Sequence, residues 1–444
     1  MLKKLSYILL VVLCTLISFS FQIYVSTSSF DANSVKRYIE YLSSDTLKGR
    51  LAGTIENDLT AIYLKNEFEK INLKPYKDSY FQKFDTVYPY KTKDRPYLTI
   101  TDSQGFLVKE YKYGVDYKED LLNFKKNNLS FTKKDKLLWS NEHLQIQKDN
   151  NNFLFYTPES DKLNFRSSFI NSSPFSMYIM TTKNTITELK SYLKEDYTIN
   201  CFIPFETKKI SLNNVTAYIE GKDASAPPII LSAHFDHIGS DLAGNVYTGA
   251  LDNASGTAFL LELSKYVQSL GKPERNILFV GFNAEEFGCL GSKAFVDEYK
   301  HSIKGSKVIN FDMIGSNKPV PLYIMGGSKD TEKTALIKET SEICSKNKVT
   351  FNYLFEDASD HEYFRKQGID AITLSDSDTS RIHTPSDKSE FISSDSIERC
   401  FNVVSKSIIK YGFKDNWLLI YYREVFWTSL IGIIIFLGVN KKTT

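Results

Sequence analysis

The chain has 444 residues, of which 42% are hydrophobic and 24% charged, so it can form one large domain with an accessory region and is too apolar for a disordered protein. With 55 Lys and Arg against 53 Asp and Glu, the formal net charge is +2, and no basic cluster alternates with aromatic residues as nucleic-acid binding would require. The five cysteines are irregularly spaced, which excludes a disulfide framework and a C-x-x-C metal site.

The first apolar segment, within residues 1–28, has the features of a membrane-targeting or membrane-spanning segment. After Lys3 and Lys4, the stretch from Leu5 to Val25 carries no charge and is about as long as a bilayer-spanning helix. Small residues follow it, but no A-x-A cleavage pattern is present, so it predicts either a secretory signal peptide or a retained N-terminal anchor.

Three regions follow in chain order. Residues 33–87 have apolar residues at helical spacing, whereas residues 88–210 contain short runs rich in Tyr, Phe and Thr that predict an inserted β-rich region. Within residues 211–412, strand-like and helix-like apolar runs alternate, at 228–233, 256–270, 276–282, 293–299 and 307–311. This alternation predicts an α/β fold with a mostly parallel, twisted sheet and helices on both faces, to which residues 33–87 also belong.

The second apolar segment covers residues 417–440 and predicts a C-terminal transmembrane helix. Its core, residues 425–439, is entered through Phe426 and Trp427 and is followed by Lys441 and Lys442, as in an aromatic belt with a positive-inside stop. The core is short, and the longer version contains one arginine and one glutamate. A buried or interfacial terminal helix is therefore the alternative.

The lysines beside the two apolar segments predict the orientation of the chain. Lys3 and Lys4 precede the first segment, and Lys441 and Lys442 follow the second, so the positive-inside tendency places both tails in the cytoplasm. The region between them then lies on the extracytoplasmic side, anchored to membrane lipid by the terminal segments. If the first segment is cleaved, the second segment alone still places this region on the extracytoplasmic side.

Residues of the types that bind metals stand where the predicted strands end. His234, the Glu285–Glu286 pair and Asp312 each follow such a strand, where open α/β sheets form their sites. The complete set is His234, Asp252, Glu286, Asp312 and His383, with Glu285 directly before the third. Two imidazoles, three carboxylates and one further acid are what a pair of zinc ions and a general base require. The set therefore predicts a hydrolytic metal site.

Each of these residues alone has a simpler explanation. An acid at a strand end is ordinarily a helix cap or a solvated side chain, but independent caps would not reproduce one ligand inventory. With the five-ligand set full, His237 and His361 are expected to pack or to support ligands. Cys289 is expected to be a buried structural thiol.

The segments that carry these residues resemble the metal-site blocks of the di-zinc aminopeptidase family, which is related to glutaminyl cyclases and the transferrin receptor ectodomain. The blocks are 232–237 (SAHFDH), 249–256 (GALDNASG), 283–288 (NAEEFG), 310–315 (NFDMIG) and 383–387 (HTPSD), and residues 41–53 and 359–361 are similar to further blocks. Residues 88–210 lie where many relatives carry a protease-associated insert, but they show no specific match.

The resemblance implies a zinc aminopeptidase-like fold and two Zn²⁺ ions per chain. It assigns His234 and Asp312 to one ion, Glu286 and His383 to the other, and Asp252 as the bridging carboxylate. Asp236 would accept a proton from the ring of His234 and fix its tautomer. Glu285 would be the general base that takes a proton from the bridging water and passes it to the leaving amine.

The activity that the resemblance implies is release of N-terminal residues from peptide substrates. One alternative is a glutaminyl-cyclase-like acyltransferase, in which related ligands hold a single zinc ion. Another is a non-catalytic binding ectodomain, against which the complete set of five ligands and Glu285 argues. The sequence does not indicate the oligomeric state.

Overall fold

The computed structural model describes residues 2–443, with side chains from residue 7 to residue 438. The α-helices of this part are α1 (Leu2–Ser26), α2 (Ala32–Leu42), α3 (Ile55–Lys70), α4 (Lys183–Tyr192), α5 (Gly256–Ser269), α6 (Leu290–Tyr299), α7 (Ala335–Lys346), α8 (His361–Lys366), α9 (Ser394–Gly412) and α10 (Trp417–Thr443). The strands are β1 (Lys74–Pro75), β2 (Phe81–Lys91), β3 (Tyr97–Thr101), β4 (Leu107–Glu110), β5 (Tyr117–Phe124), β6 (Asn128–Phe131), β7 (Lys136–Trp139), β8 (His143–Lys148), β9 (Asn151–Tyr156), β10 (Phe175–Thr181), β11 (Thr198–Phe202), β12 (Phe205–Ile219), β13 (Ile229–His234), β14 (Ile277–Phe282), β15 (Lys307–Phe311), β16 (Leu322–Gly326), β17 (Phe351–Phe355) and β18 (Asp370–Ser375).

The largest sheet has the strand order β1-β12-β14-β13-β15-β18-β16-β17, and β2 pairs with β12 beside β1. Its centre, β14-β13-β15-β18, is parallel, whereas β12 joins β14 and β16 joins β18 in antiparallel pairs. The predicted α/β class is therefore confirmed, with a mixed sheet whose parallel part lies at its centre. The predicted runs correspond to β13, α5, β14, α6 and β15.

Helices cover both faces of this sheet because its central strands are apolar on both sides. In β13, Ile229 and Leu231 belong to the core beneath α2, α3, α5, α7 and α9, whereas Ile230 belongs to the core beneath α6 and α8. Every residue of β13 and β14 is buried. A continuous apolar run is the expected pattern for a strand covered on both faces.

The helical spacing predicted for residues 33–87 ends with α3, because the strands β1 and β2 follow it. β2 pairs antiparallel with the long strand β12 from Phe81 to Lys91, and this pairing overrides the local apolar spacing. The pair β2–β12, which we call the ribbon, leads from the main sheet to two smaller sheets. Their strand orders are β5-β10-β9-β8-β7 and β4-β3-β11-β6. The predicted boundaries at residues 88 and 210 fall inside this ribbon, and the division into domains remains a prediction.

The terminal helices α1 and α10 pack against each other. The ring centroids of Phe21 and Phe426 are 5.8 Å apart, and a side chain at Gly432 would begin 3.1 Å from Leu13. Moving toward the N-terminus of α1 therefore means moving toward the C-terminus of α10, so the helices are antiparallel. Both are long and apolar enough to cross a membrane. The side chains of Lys3, Lys4, Lys441 and Lys442, on which the orientation prediction rests, lie outside the described side chains.

Candidate metal centre

The predicted donors His234, Glu285, Glu286 and Asp312 lie at one edge of the main sheet. β13 ends at His234, β14 ends at Phe282 just before the two glutamates, and β15 ends just before Asp312. β13 lies between β14 and β15 and runs parallel to both. Because the carboxyl ends of parallel strands meet at one edge, these side chains converge there.

Asp252 stands between two histidines. Its Oδ1 is 3.5 Å from Nε2 of His234, and its Oδ2 is 3.3 Å from Nε2 of His383. Oδ1 of Asp312 is 3.4 Å from Nε2 of His234, and Oε1 of Glu286 is 3.2 Å from Nε2 of His383. The structure thus brings the five predicted ligands together, with one carboxylate facing both imidazoles. Their roles as ligands remain predictions.

The donor atoms divide into two groups, within each of which all atoms lie within 4.8 Å of one another. The groups are His237, Asp252, Glu286 and His383, and His234, Glu285 and Asp312. Compared with the predicted set, His237 joins the first group and Glu285 the second. Nδ1 of His237 is 2.9 Å from Oε1 of Glu286 and 3.8 Å from Oδ2 of Asp252. In this geometry the His237 ring donates a hydrogen bond to Glu286, as a residue supporting a ligand does.

Asp236 holds the turn that carries the two glutamates. Its Oδ1 accepts a hydrogen bond from the backbone N–H of Glu285 at 3.1 Å, and its Oδ2 accepts one from that of Glu286 at 3.2 Å. Oδ1 is 3.8 Å from Nδ1 of His234, which lies closer to the backbone oxygen of Asp236, at 3.3 Å. The residue expected to orient His234 therefore does so with its main chain, while its carboxylate positions the glutamates.

Glu285 is one of the more exposed side chains of the centre. It and Asp312 are each 14% exposed, close to the 12% of His383, whereas His234 is 1% exposed. Oε2 of Glu285 is 4.0 Å from Nε2 of His234, and its Oε1 accepts a hydrogen bond from the thiol of Cys289 at 3.4 Å. Burial raises the pKa of Glu285 well above its usual range, with His234 opposing this shift and Glu286 adding to it. Cys289 is buried, as the sequence predicted, and also contacts the proposed base.

The centre strongly favours positive charge. Burial acts to lower the pKa of His234, but Glu285 and Asp312 outweigh it and raise this pKa well above its usual range. The pKa of His383 is likewise raised, because Glu286 and Asp252 outweigh burial. The crowded carboxylates therefore stabilise a cation at these imidazoles, either a proton or a metal ion.

The donor set fits zinc. Imidazole nitrogen and carboxylate oxygen are zinc ligands, and two such atoms about 2.0–2.2 Å from one tetrahedral ion lie about 3.3–3.6 Å apart. The distances from Asp252 to His234 and to His383 are 3.5 and 3.3 Å, and that from Asp312 to His234 is 3.4 Å. Each pair is thus already spaced as two ligands of one ion.

Asp387 orients the loop that carries Asp252. Its Oδ1 accepts a hydrogen bond from the N–H of Leu251 at 2.9 Å, and its Oδ2 accepts one from the N–H of Asp252 at 3.0 Å. Asp387 belongs to the same sequence block as His383, so this block supplies one predicted ligand and fixes the backbone of another. Asp387 lies within the block 383–387, but its type and position in the sequence predict no role for it.

Arg50, in the block 41–53, is a second supporting residue for which the sequence predicts no role. It is 1% exposed, and its guanidinium donates to four backbone carbonyls, those of Leu42, Phe235, Thr248 and Gly249. Phe235 follows His234 directly, and Thr248 and Gly249 come shortly before Asp252. Arg50 therefore links the end of α2 to the loops that carry His234 and Asp252. Four matched acceptors are what a buried guanidinium needs to be tolerated.

Comparisons with known proteins match the region that contains the five predicted ligands. Residues 214–408 match the model described as Peptidase family M28. Aminopeptidase YwaD of Bacillus subtilis is 30% identical over 209 residues, which is 44% of this chain and 44% of that protein. The chain thus spans less than half the length of the curated relatives that it matches.

Solved structures share the fold. An aminopeptidase from Aneurinibacillus sp. strain AM-1 aligns with a TM-score of 0.60 and 21% identity, over 86% of this chain and 94% of that one. The zinc aminopeptidase BSAP from Bacillus subtilis aligns with a TM-score of 0.59 and 18% identity, over 86% and 96% of the two chains.

Over residues 214–408, the match to the Peptidase family M28 model confirms the family resemblance seen in the sequence, and the aminopeptidase structures confirm the predicted fold.

Proposed function

We propose that this chain is a zinc-dependent aminopeptidase that hydrolyses N-terminal residues from peptides. The observation that carries the proposal is the arrangement around Asp252, whose two oxygens face His234 and His383. Glu285 stands beside this arrangement, with Oε2 4.0 Å from Nε2 of His234, and is partly exposed. The family M28 match of residues 214–408 supports peptides as the substrates, and the aminopeptidases among its relatives support attack at the first peptide bond.

Each residue of the centre has a part in the proposed reaction. His234 and Asp312 would hold one zinc ion, Glu286 and His383 would hold another, and Asp252 would be shared. When bound, the two ions polarise the scissile carbonyl and make water a stronger acid. Glu285 accepts a proton from the attacking water and passes it to the leaving amine. Asp236, bonded to the Glu285 N–H, fixes the backbone from which this base acts.

A panel of fluorogenic aminoacyl substrates, with free and with blocked amines, tests the proposal when zinc content is measured on the same sample. We expect hydrolysis of the free-amine substrates only, with two zinc ions per chain. Hydrolysis of blocked substrates would contradict the restriction to N-termini. A single zinc ion with cyclisation of N-terminal glutamine would instead support an acyltransferase.

We infer that the catalytic domain is held on the extracytoplasmic face of a membrane by both terminal helices. The antiparallel packing of α1 and α10 supports this, because two antiparallel spans leave both chain ends on one side. Apolar side chains on both helices are exposed, among them Val25, Trp427 and Ile434. Such surface is expected to face lipid.

The orientation predicts the outcome of protease treatment. Protease added to intact cells or spheroplasts should cleave the inserted region, residues 88–210, and should leave tags at both chain ends uncut until the membrane is permeabilised. Removal of residues 416–444 should leave the domain on the membrane when α1 is retained and release it when α1 is cleaved, which intact mass measurement of the N-terminus distinguishes. A domain protected until permeabilisation would overturn the orientation, and full solubility of the uncut chain would overturn the anchor.

A further inference from the structure

A segment of the inserted region lies directly against the metal centre. Residues 165–169, which we call the strap, lie in the loop between β9 and β10. The strap contacts Glu286 and His383, the two residues that the resemblance assigns to the same ion. The inserted region carries none of the predicted ligands, so these contacts are its link to the chemistry of the centre.

The strap holds Glu286 by both its main chain and its side chain. The hydroxyl of Ser168 donates a hydrogen bond to Oε2 of Glu286, and the N–H of Phe169 donates to the backbone oxygen of Glu286 at 2.8 Å. The other carboxylate oxygen, Oε1, faces His383 at 3.2 Å. Oε1 also accepts the hydrogen bond of His237, so Ser168 and His237 together fix the orientation of the Glu286 carboxylate, with Oε1 toward the centre.

The strap also contacts His383. The N–H of Arg166 donates to the backbone oxygen of His383 at 3.1 Å, and the ring of Phe165 stacks on the imidazole with centroids 5.7 Å apart. His383 has a φ of +55°, a conformation that costs free energy for a residue with a side chain and that its surroundings must hold. The strap therefore supports both the backbone and the ring of this histidine.

The strap is itself fixed on both sides. Asp120 in β5 accepts hydrogen bonds from the N–H and the hydroxyl of Ser167, at 2.7 and 2.8 Å. The fully buried Arg166 side chain donates to the backbone oxygens of Ile238 and Ser240, in the loop that follows His234. Since its anchors lie in both the inserted region and the catalytic region, the strap can hold a ligand in place.

The other half of the centre has a corresponding serine. The hydroxyl of Ser359 donates a hydrogen bond at 2.7 Å to Oδ2 of Asp312, whose Oδ1 faces His234. Each of these two carboxylates thus has one oxygen bonded to a serine hydroxyl. The other oxygen faces His237 and His383 in Glu286, and His234 in Asp312. Ser359 comes from the M28-matching region, whereas Ser168 comes from the inserted region.

We propose that Ser168 is a positioning residue that sets the zinc affinity of the Glu286–His383 half of the centre, so that the inserted region controls one of the two ions. The proposal rests on the two-ion centre proposed above. Loss of such a supporting hydrogen bond typically weakens metal binding about 10–100-fold. Ser168→Ala should therefore lower the affinity for the ion at Glu286 and His383 by this factor, and should leave the affinity for the other ion within about twofold.

Zinc titration of the metal-free full-length chain, in competition with a chromophoric chelator, measures both dissociation constants without any substrate. Ser359→Ala should weaken the other ion. Ser172→Ala should change neither, because Ser172 is exposed in the same loop and its side chain makes no hydrogen bond within the described residues. Ser168→Thr keeps the hydroxyl and Ser168→Val replaces it at nearly equal size, so only the valine variant should lose affinity. This pair also provides the comparison if the alanine variant does not fold.

A double-mutant cycle identifies the ion affected. Ser168→Ala should add nothing in a His383→Ala background, where the neighbouring ion is already weakened, and should keep its full effect in a His234→Ala background. Unchanged affinities, or equal weakening of both ions, would overturn the role of Ser168. A single binding step in the unaltered chain would overturn it together with the two-ion centre. Two bound ions without aminopeptidase activity would overturn only the proposed function.

Discussion

Replacing Glu285 with glutamine should lower turnover of an aminoacyl substrate by about 10²–10⁴-fold, the usual contribution of a general base. Glutamine has nearly the same shape but cannot take a proton from water. Its carbonyl oxygen can still accept the hydrogen bond of the Cys289 thiol, and the backbone bond to Asp236 is unaffected. Zinc content and the unfolding temperature should therefore stay unchanged, as metal analysis and thermal unfolding would measure.

The matched control for this variant is Glu332→Gln, which removes the same charge at an exposed position. It should leave turnover within about twofold, as surface substitutions generally do. Retained turnover in Glu285→Gln would refute the role of the base. Loss of zinc from Glu285→Gln would make Glu285 a ligand instead, in line with its place in the group with His234 and Asp312.

Replacing Asp252 with alanine should remove both zinc ions and reduce activity to background. Asp252 has one oxygen toward His234 and the other toward His383, so its loss takes a donor from each half and leaves the charges of the two ions unscreened. His234→Ala should chiefly lower the affinity for one ion, the one assigned to His234 and Asp312. Metal analysis after gel filtration would measure both, with circular dichroism as the check that each variant is folded.

Chelation provides the reversible form of the same test. Removal of metal should abolish the activity of the unaltered chain, and added zinc should restore it, because the donors converge from separate segments only in the folded protein. Full activity of the metal-free chain would be incompatible with a zinc-dependent reaction. Two ions retained by Asp252→Ala would exclude the bridging role.

The position of the centre could be predicted because its cause is local. The apolar runs of β13, β14 and β15 are recognisable in the sequence, and the residue after each run must fall at the carboxyl edge of a parallel sheet. This reasoning places His234 and Asp312 at that edge. Which way each side chain turns depends on rotamers, so the grouping of His237 with Glu286 could not be predicted.

The supporting residues could not be predicted because their partners are distant in sequence. Arg50 reaches carbonyls nearly 200 residues away, at Thr248 and Gly249, and the sequence around a buried arginine does not distinguish it from an exposed one. Ser168 lies 118 residues from Glu286 in a region with no motif. The ribbon of β2 and β12 likewise depends on long-range pairing, which local spacing does not encode.

The connections between the catalytic domain and the terminal helices are short. Residues 27–31 separate α1 from α2, and residues 413–416 separate α9 from α10. Five fully extended residues span about 17 Å, and Phe30 stacks on Phe401 at 4.1 Å, which shortens the reach further. With both helices in a bilayer, two such tethers would set the height and the facing of the catalytic edge above the lipid. The volume each molecule can search would then be a thin layer at the membrane surface, and peptides would have to enter that layer to be cleaved.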